Sequence, residues 1–151
     1  MKHLRKALLL LLVIVLLPIC AQAIEGEKAE EIIYLDNGDY ITVELTWIET
    51  RASNTKIARK TYTYYGSDDA EDWRAVLWGN FIYNGTTVTC NAAGCDVTIT
   101  ENAWYIVSKT AGPSGSAAVG TLTMGKKLLG ITVATETVNM RIDCDANGNF
   151  S

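Results

Sequence analysis

Residues 73–90, WRAVLWGNFIYNGTTVTC, decide the fold class. Successive side chains on a strand point to opposite faces of a sheet. From Trp73 to Tyr83 one face reads Trp73, Ala75, Leu77, Gly79, Phe81 and Tyr83, and the other reads Arg74, Val76, Trp78, Asn80 and Ile82. That alternation predicts a long strand, bent or bulged at Gly79, where no side chain is available to pack. Asn84-Gly85 follows at once, and then residues 86–90, so the stretch predicts a hairpin closed by an Asn-Gly turn.

The same period extends outward on both sides. Upstream, Ile41, Val43, Leu45 and Trp47 alternate with Thr42, Glu44 and Thr46. Residues 56–65 alternate through Ala58, Lys60, Tyr62 and Tyr64, against Arg59, Thr61 and Thr63. Downstream, strands are predicted at 95–100, 104–109, 117–124 and 129–144, the last with a phase change that a bulge at 135–137 would reconcile. Turn residues cluster at 36–39, 66–69, 111–115 and 147–149, and helical periodicity is scarce. Short strands punctuated in this way predict an all-β chain, an antiparallel β-sandwich.

At the start of the chain Lys2, Arg5 and Lys6 precede an apolar run from Ala7 to Ile19, and Ala21-Gln22-Ala23 supplies small residues for a peptidase. Residues 1–23 therefore read as a secretory signal peptide cut before Ile24. The apolar run is shorter than the roughly 20 residues of a spanning helix, so no membrane span is expected after cleavage. A lipid anchor on Cys20 is disfavoured by the large Ile19 before it. The signal carries three of the 13 basic residues and no acidic one, which leaves ten against 17 and a net charge of −7. A chain so acidic is a poor partner for phosphate backbones, and nucleic-acid binding is not expected. Residues 24–33, rich in Glu, read as a solvated tether, and 34–151 as one β-sandwich domain of ordinary size.

Candidate chemistry is sparse. The single histidine, His3, lies within the signal, so the mature chain has no imidazole for a Ser-His-Asp or Cys-His nucleophile. Carboxylates abound, but Asp68, Asp69, Glu71 and Asp72 lie in a turn, where solvated charge is the ordinary role. Asp143, Asp145, Asn147 and Gly148 spell the opening of a calcium loop, yet the twelfth position that should hold a bidentate Glu falls beyond Ser151, and a turn is the better reading. The sequence thus nominates no catalytic residue, no cofactor and no metal ligand. Aromatic residues offer more. Tyr62, Tyr64, Tyr65, Trp73 and Trp78 put rings on both faces of the central strands; one face must be core, which leaves Tyr65 and Trp78 as candidate surface aromatics. Asn84-Gly85-Thr86 matches a glycosylation sequon that the turn already explains.

Three cysteines remain after cleavage. A Cys90–Cys144 disulfide would close a loop of about 55 residues, worth on the order of 4 kcal/mol, and a Cys90–Cys95 bridge nearer about 2 kcal/mol, so the first is favoured. Trp104, 14 positions after Cys90, gives a partial Cys, Trp, Cys skeleton, immunoglobulin-like in general architecture. Ile142 replaces the corner tyrosine, and three expected strands precede Cys90 where that fold has one, so this is not a true immunoglobulin domain. The expectation is a tryptophan packed beside a bridge.

The segments YLDNGDYI (34–41), KTYTYYGSD (60–68), WGNFIYNGTTVTC (78–90), AWYIVSK (103–109) and CDANGNFS (144–151) resemble an uncharacterised family, a domain of unknown function, of small secreted proteins from Gram-positive gut-associated bacteria. The resemblance implies export, a β fold and pairing of Cys90 with Cys144, and it carries no catalytic or binding residue. Taken together, the expectation is a secreted, non-enzymatic extracellular domain that binds a protein, a glycan or a cell-wall component. The alternatives are a small carboxylate-dependent hydrolase and a secreted inhibitor or toxin-like protein acting through residues 111–116.

Overall fold

The computed structural model describes residues 24–50 and 54–151; the expected signal at 1–23 lies outside them. Eight strands follow in order: β1 (Ile24–Tyr34), β2 (Tyr40–Thr50), β3 (Thr55–Tyr65), β4 (Glu71–Tyr83), β5 (Val88–Ile99), β6 (Trp104–Ser114), β7 (Ala117–Leu128) and β8 (Ile131–Asp143). The first five form one sheet in the order β1-β2-β3-β4-β5 and the last three a second, β6-β7-β8, with every neighbouring pair antiparallel. The chain is an antiparallel β-sandwich. Within each sheet the strands pair only with their neighbours in sequence, so both sheets are meanders, and the crossing connections of an immunoglobulin sandwich are not used.

The alternation read from β4 is the core. Trp73, Ala75, Leu77 and Phe81 are fully buried and meet Leu122, Met124, Met140 and Ile142 of the second sheet. Ile41, Val43 and Leu45 of β2 and Ala58, Tyr62 and Tyr64 of β3 extend the same inner face. Truncating a large ring in such a core to alanine typically costs about 3–5 kcal/mol. Gly79 lets the two sheets approach each other: a Cβ there would sit 2.8 Å from that of Ala118 and 2.7 Å from the Phe81 ring.

Several expectations are corrected. Residues 24–33 are not a tether but most of β1, paired with β2 from Ile24↔Glu49 to Tyr34↔Tyr40. Backbone pairing is indifferent to a charged sequence, and Gly26 leaves room for the Trp47 ring, which a Cβ would meet at 2.2 Å. The irregularity placed at Gly79 lies instead across from Asn80 and Phe81, where β5 carries the extra residue Asn91. The bulge in β8 falls at Val133, where the pairing jumps from Lys126↔Ala134 to Lys127↔Thr132. Residues 111–114, expected as loop, continue β6 as far as Ser114. Pro113 is tolerated there because β6 is an edge strand.

The turn chemistry is also redistributed. Asn84-Gly85 does not make a two-residue turn: Tyr83 pairs with Val88, and the Asn84 side-chain oxygen accepts the N–H groups of Thr86 and Thr87 at 3.0 and 2.8 Å, closing a four-residue loop. Two-residue turns occur instead at Gly115-Ser116, between the paired Ser114 and Ala117, and at Leu129-Gly130, with φ of +50° and +81° between the paired Leu128 and Ile131. Positive φ at both central positions is the type I′ hairpin, a conformation that a bulky L-residue adopts only at a cost of about 1–2 kcal/mol.

The expected Cys90–Cys144 disulfide is absent; Cys90, Cys95 and Cys144 are buried thiols. Cys90 and Cys144 lie on either side of one turn, since the N–H of Cys90 donates to Gly115 O and that of Cys144 to Ser116 O. Each sulfur turns back to its own strand, Cys90 Sγ to Ala92 O at 3.3 Å and Cys144 Sγ to Asp145 O at 3.5 Å. Burial pushes the Cys144 thiol up to about 11, with the Asp145 charge adding to it. Cys95 faces Leu77 farther along β5, roughly 13–16 Å from Cys90 and too far for a bridge.

Candidate binding surface

The outer face of the five-stranded sheet ends in a row of tyrosines. Tyr34 is paired with Tyr40 in the β1–β2 ladder and Tyr40 with Tyr65 in the β2–β3 ladder, so the three side chains leave one face at one level. Their rings make a continuous strip: Tyr34 to Tyr40 at 6.1 Å between centroids and tilted, Tyr40 to Tyr65 at 4.9 Å and stacked within 15°. Tyr34 is 77% exposed, while the other two are half-buried by each other and by the turn beyond. That turn brings Asp69, at φ +63°, against the Tyr40 hydroxyl, whose pKa is raised by burial first and by the Asp69 carboxylate next.

Beneath this row, at the same end of the sandwich, polar groups from both sheets converge over buried rings. Tyr64 stacks on Trp73 at 5.1 Å and meets the edge of Trp104 at 5.0 Å. The Tyr64 hydroxyl donates to Asp39 Oδ2, and the Asn37 amide donates to the same oxygen at 2.7 Å. Burial, followed by the Asp39 hydrogen bond, pushes the Tyr64 hydroxyl far above its ordinary range. Glu136 of β8 approaches from the opposite sheet, its carboxyl raised by burial and then by the Asp39 charge. Asp72 is buried and accepts from Trp104 Nε1 at 2.8 Å, with Lys126 Nζ 3.7 Å from the same oxygen.

Of the two aromatics picked from the sequence, Tyr65 belongs to the strip. Trp78 shares its face but pairs with Arg59, six residues down β3 from Tyr65 or roughly 20 Å along the strand, and its ring lies over Gly94. The two do not form one platform. Tyr34 and Tyr40 escaped the sequence reading because only the pairing register aligns them with Tyr65. Trp104, expected beside a cysteine bridge, packs instead against Tyr64 and Trp73 at the end of the sandwich away from Cys90 and Cys144. The calcium-like segment is a turn: Asp145 Oδ1 accepts the N–H groups of Asn147 and Asn149 at 2.8 and 2.9 Å, while Asp143 is held by Arg141 at 2.6 Å. Among the described residues no group of three or more Cys, His, Asp or Glu side chains is gathered as a metal site. A shallow depression of about 260 Å³ lies over Thr110, Gly112, Val119 and Thr121.

Comparison with protein-family models, with characterised proteins and with solved structures finds no match to this chain.

Proposed function

We propose that residues 1–23 direct export and that the mature chain is a non-enzymatic extracellular binding domain, its contact surface the strip of Tyr34, Tyr40 and Tyr65. The observation that supports this reading most is the strip itself: three adjacent rings in register, two of them stacked and the outermost left 77% exposed. Burying Tyr34 against a partner would recover apolar area that folding leaves in water, and flat rings with hydroxyl tips suit the faces of sugar rings in a glycan or cell-wall polymer. The acidic charge keeps phosphate-rich polymers away. The test is calorimetric titration of the mature chain with soluble cell-wall glycan fragments. Tyr34→Ala and Tyr65→Ala should each weaken binding at least tenfold, about 1.4 kcal/mol, and Trp78→Ala should leave it unchanged. Equal loss in all three would overturn the assignment to this strip.

A second reading, a carboxylate-dependent hydrolase, draws on Glu136 and Asp39, which stand close enough for one charge to raise the other's pKa. Two carboxyl groups side by side, one of them raised by burial, are the kind of pair that glycoside hydrolysis uses. Release of reducing ends from the same fragments, abolished in Glu136→Gln, would establish it.

A further inference from the structure

The tyrosine strip is set among charges of one sign. Two turns flank it, 35–39 between β1 and β2 and 66–70 between β3 and β4, and they carry Asp36, Asp39, Asp68 and Asp69 with no basic residue. The row of rings runs on into a further carboxylate, because Tyr65 pairs with Glu71 in the β3–β4 ladder. Cations at this end of the sandwich already have partners: Arg74 Nη2 lies 2.6 Å from Glu71, Lys126 Nζ 3.7 Å from Asp72, and Lys127 Nζ over the Tyr105 ring of the other sheet. Asp39 is engaged by Tyr64 and Asn37, whereas Asp36, Asp68 and Asp69 are exposed, and Asp69 lies against the Tyr40 hydroxyl. Trp78, on the same face, has the opposite kind of neighbour, since it pairs with Arg59.

We propose that the glycan taken by this strip is one whose sugars carry free, protonated amino groups, a de-N-acetylated hexosamine polymer. The inference rests on the reading of the strip as a glycan surface and adds what the surrounding charge selects. The face of an aromatic ring is the negative part of its quadrupole, so tyrosines bordered by Asp36, Asp68 and Asp69 attract a cation and turn away an anion. An amino sugar holds both halves of the match on one rigid ring: C–H groups for the open Tyr34 ring, and on its edge an ammonium for a carboxylate. A lysine side chain carries the same charge at the end of a flexible stem and loses more freedom on being held. N-acetylation keeps the sugar ring and its hydroxyls and removes the charge, so the strip should separate two polymers that differ in that group alone.

Calorimetric titration of the mature chain with matched glucosamine and N-acetylglucosamine oligosaccharides, at mildly acid pH where the sugar amines are protonated, tests this. The amine-bearing oligosaccharide should bind at least tenfold more tightly than the acetylated one. Raising sodium chloride from about 0.01 to about 0.15 M shortens the screening length from roughly 30 to roughly 8 Å and should reduce that preference severalfold. Asp36→Asn with Asp69→Asn, substitutions that keep each side chain's shape and suit the left-handed position at 69, should remove most of the preference and leave binding of the acetylated sugar unchanged. Tyr34→Ala should weaken binding of both. Equal binding of the two sugars, still weakened by Tyr34→Ala, overturns the selection for amines and leaves the strip as a glycan surface. No binding of either sugar overturns the strip reading together with this one. An oligolysine of equal charge that binds as tightly as the amino sugar, or a preference for amines that survives in full in Tyr34→Ala, would mean adsorption to an acidic surface and overturns the inference.

Discussion

At one end of the sandwich the chain's last residues are tied down from several sides, while at the other large side chains stand in solvent. Phe150 packs on Trp47 and Phe81 at 5.6 and 5.3 Å, Lys56 Nζ donates to Gly148 O at 2.8 Å, and Gly85 N–H donates to Ala146 O at 2.7 Å. Gly148, at φ +79°, sits so close under the Tyr83 ring that a Cβ would meet it at 2.6 Å. At the opposite end stand Tyr34, Leu128, Leu129 and Ile131, with Leu129 held in a left-handed conformation. Natural sequences give up stability chiefly where a surface has another use. The closed end spends its residues on the fold, and the open end presents its residues to something else.

The largest effect that would break this contrast lies at the closed end. Phe150→Ala should lower the unfolding free energy by about 3 kcal/mol, as ring removal from a packed site does, and a urea midpoint reads it. A loss below about 1 kcal/mol would mean that the tail is only resting on the sandwich. At the open end the sign reverses. Leu129→Asn places the residue favoured in a type I′ turn at φ +50°, and should raise stability by about 1 kcal/mol in the same assay.

The two ends should also answer acid in opposite directions. Asp145 is held below its ordinary 3.8 by the Asn149 backbone N–H and then the Asn149 side chain, so its contribution is present above 3.8 and is lost as pH falls through its lowered value. Glu136 is raised above 4.5 by burial and then by Asp39, so the folded chain holds that proton more tightly, and stability declines as pH rises from 4.5 through the raised value. In melting temperatures measured from pH 2 to 8, Glu136→Gln should remove the decline above about 4.5, and Asp145→Asn should flatten the acid limb below about 4. Exchange of those two outcomes would reverse the assignment of strain to the open end.

Sheet content was legible because β2, β3 and β4 each bury one face and expose the other, which writes period two directly into the residues. β1 was not, since a run of glutamates reads as solvated whether or not its backbone is paired. The turn at 129–130 was hidden by a leucine where asparagine is the usual signal, and the Asn84-Gly85 signal described a longer loop. Cys90 and Cys95, of opposite parity, both face inward because Asn91 is an extra residue, and no composition rule announces that. The tyrosine strip depends on register alone: Tyr34, Tyr40 and Tyr65 carry no shared spacing. Core faces are local properties of a strand, whereas sites on sheets are properties of pairing.

The meander has a kinetic meaning. Every ladder joins strands adjacent in the chain, so each sheet can zip up hairpin by hairpin as its strands become available, closing short loops at small entropic cost. What must wait is the docking of a finished five-stranded face onto a finished three-stranded one, across the single link at residues 100–103. The slow step then belongs to surfaces that meet late, such as Gly79 against Ala118, rather than to any turn.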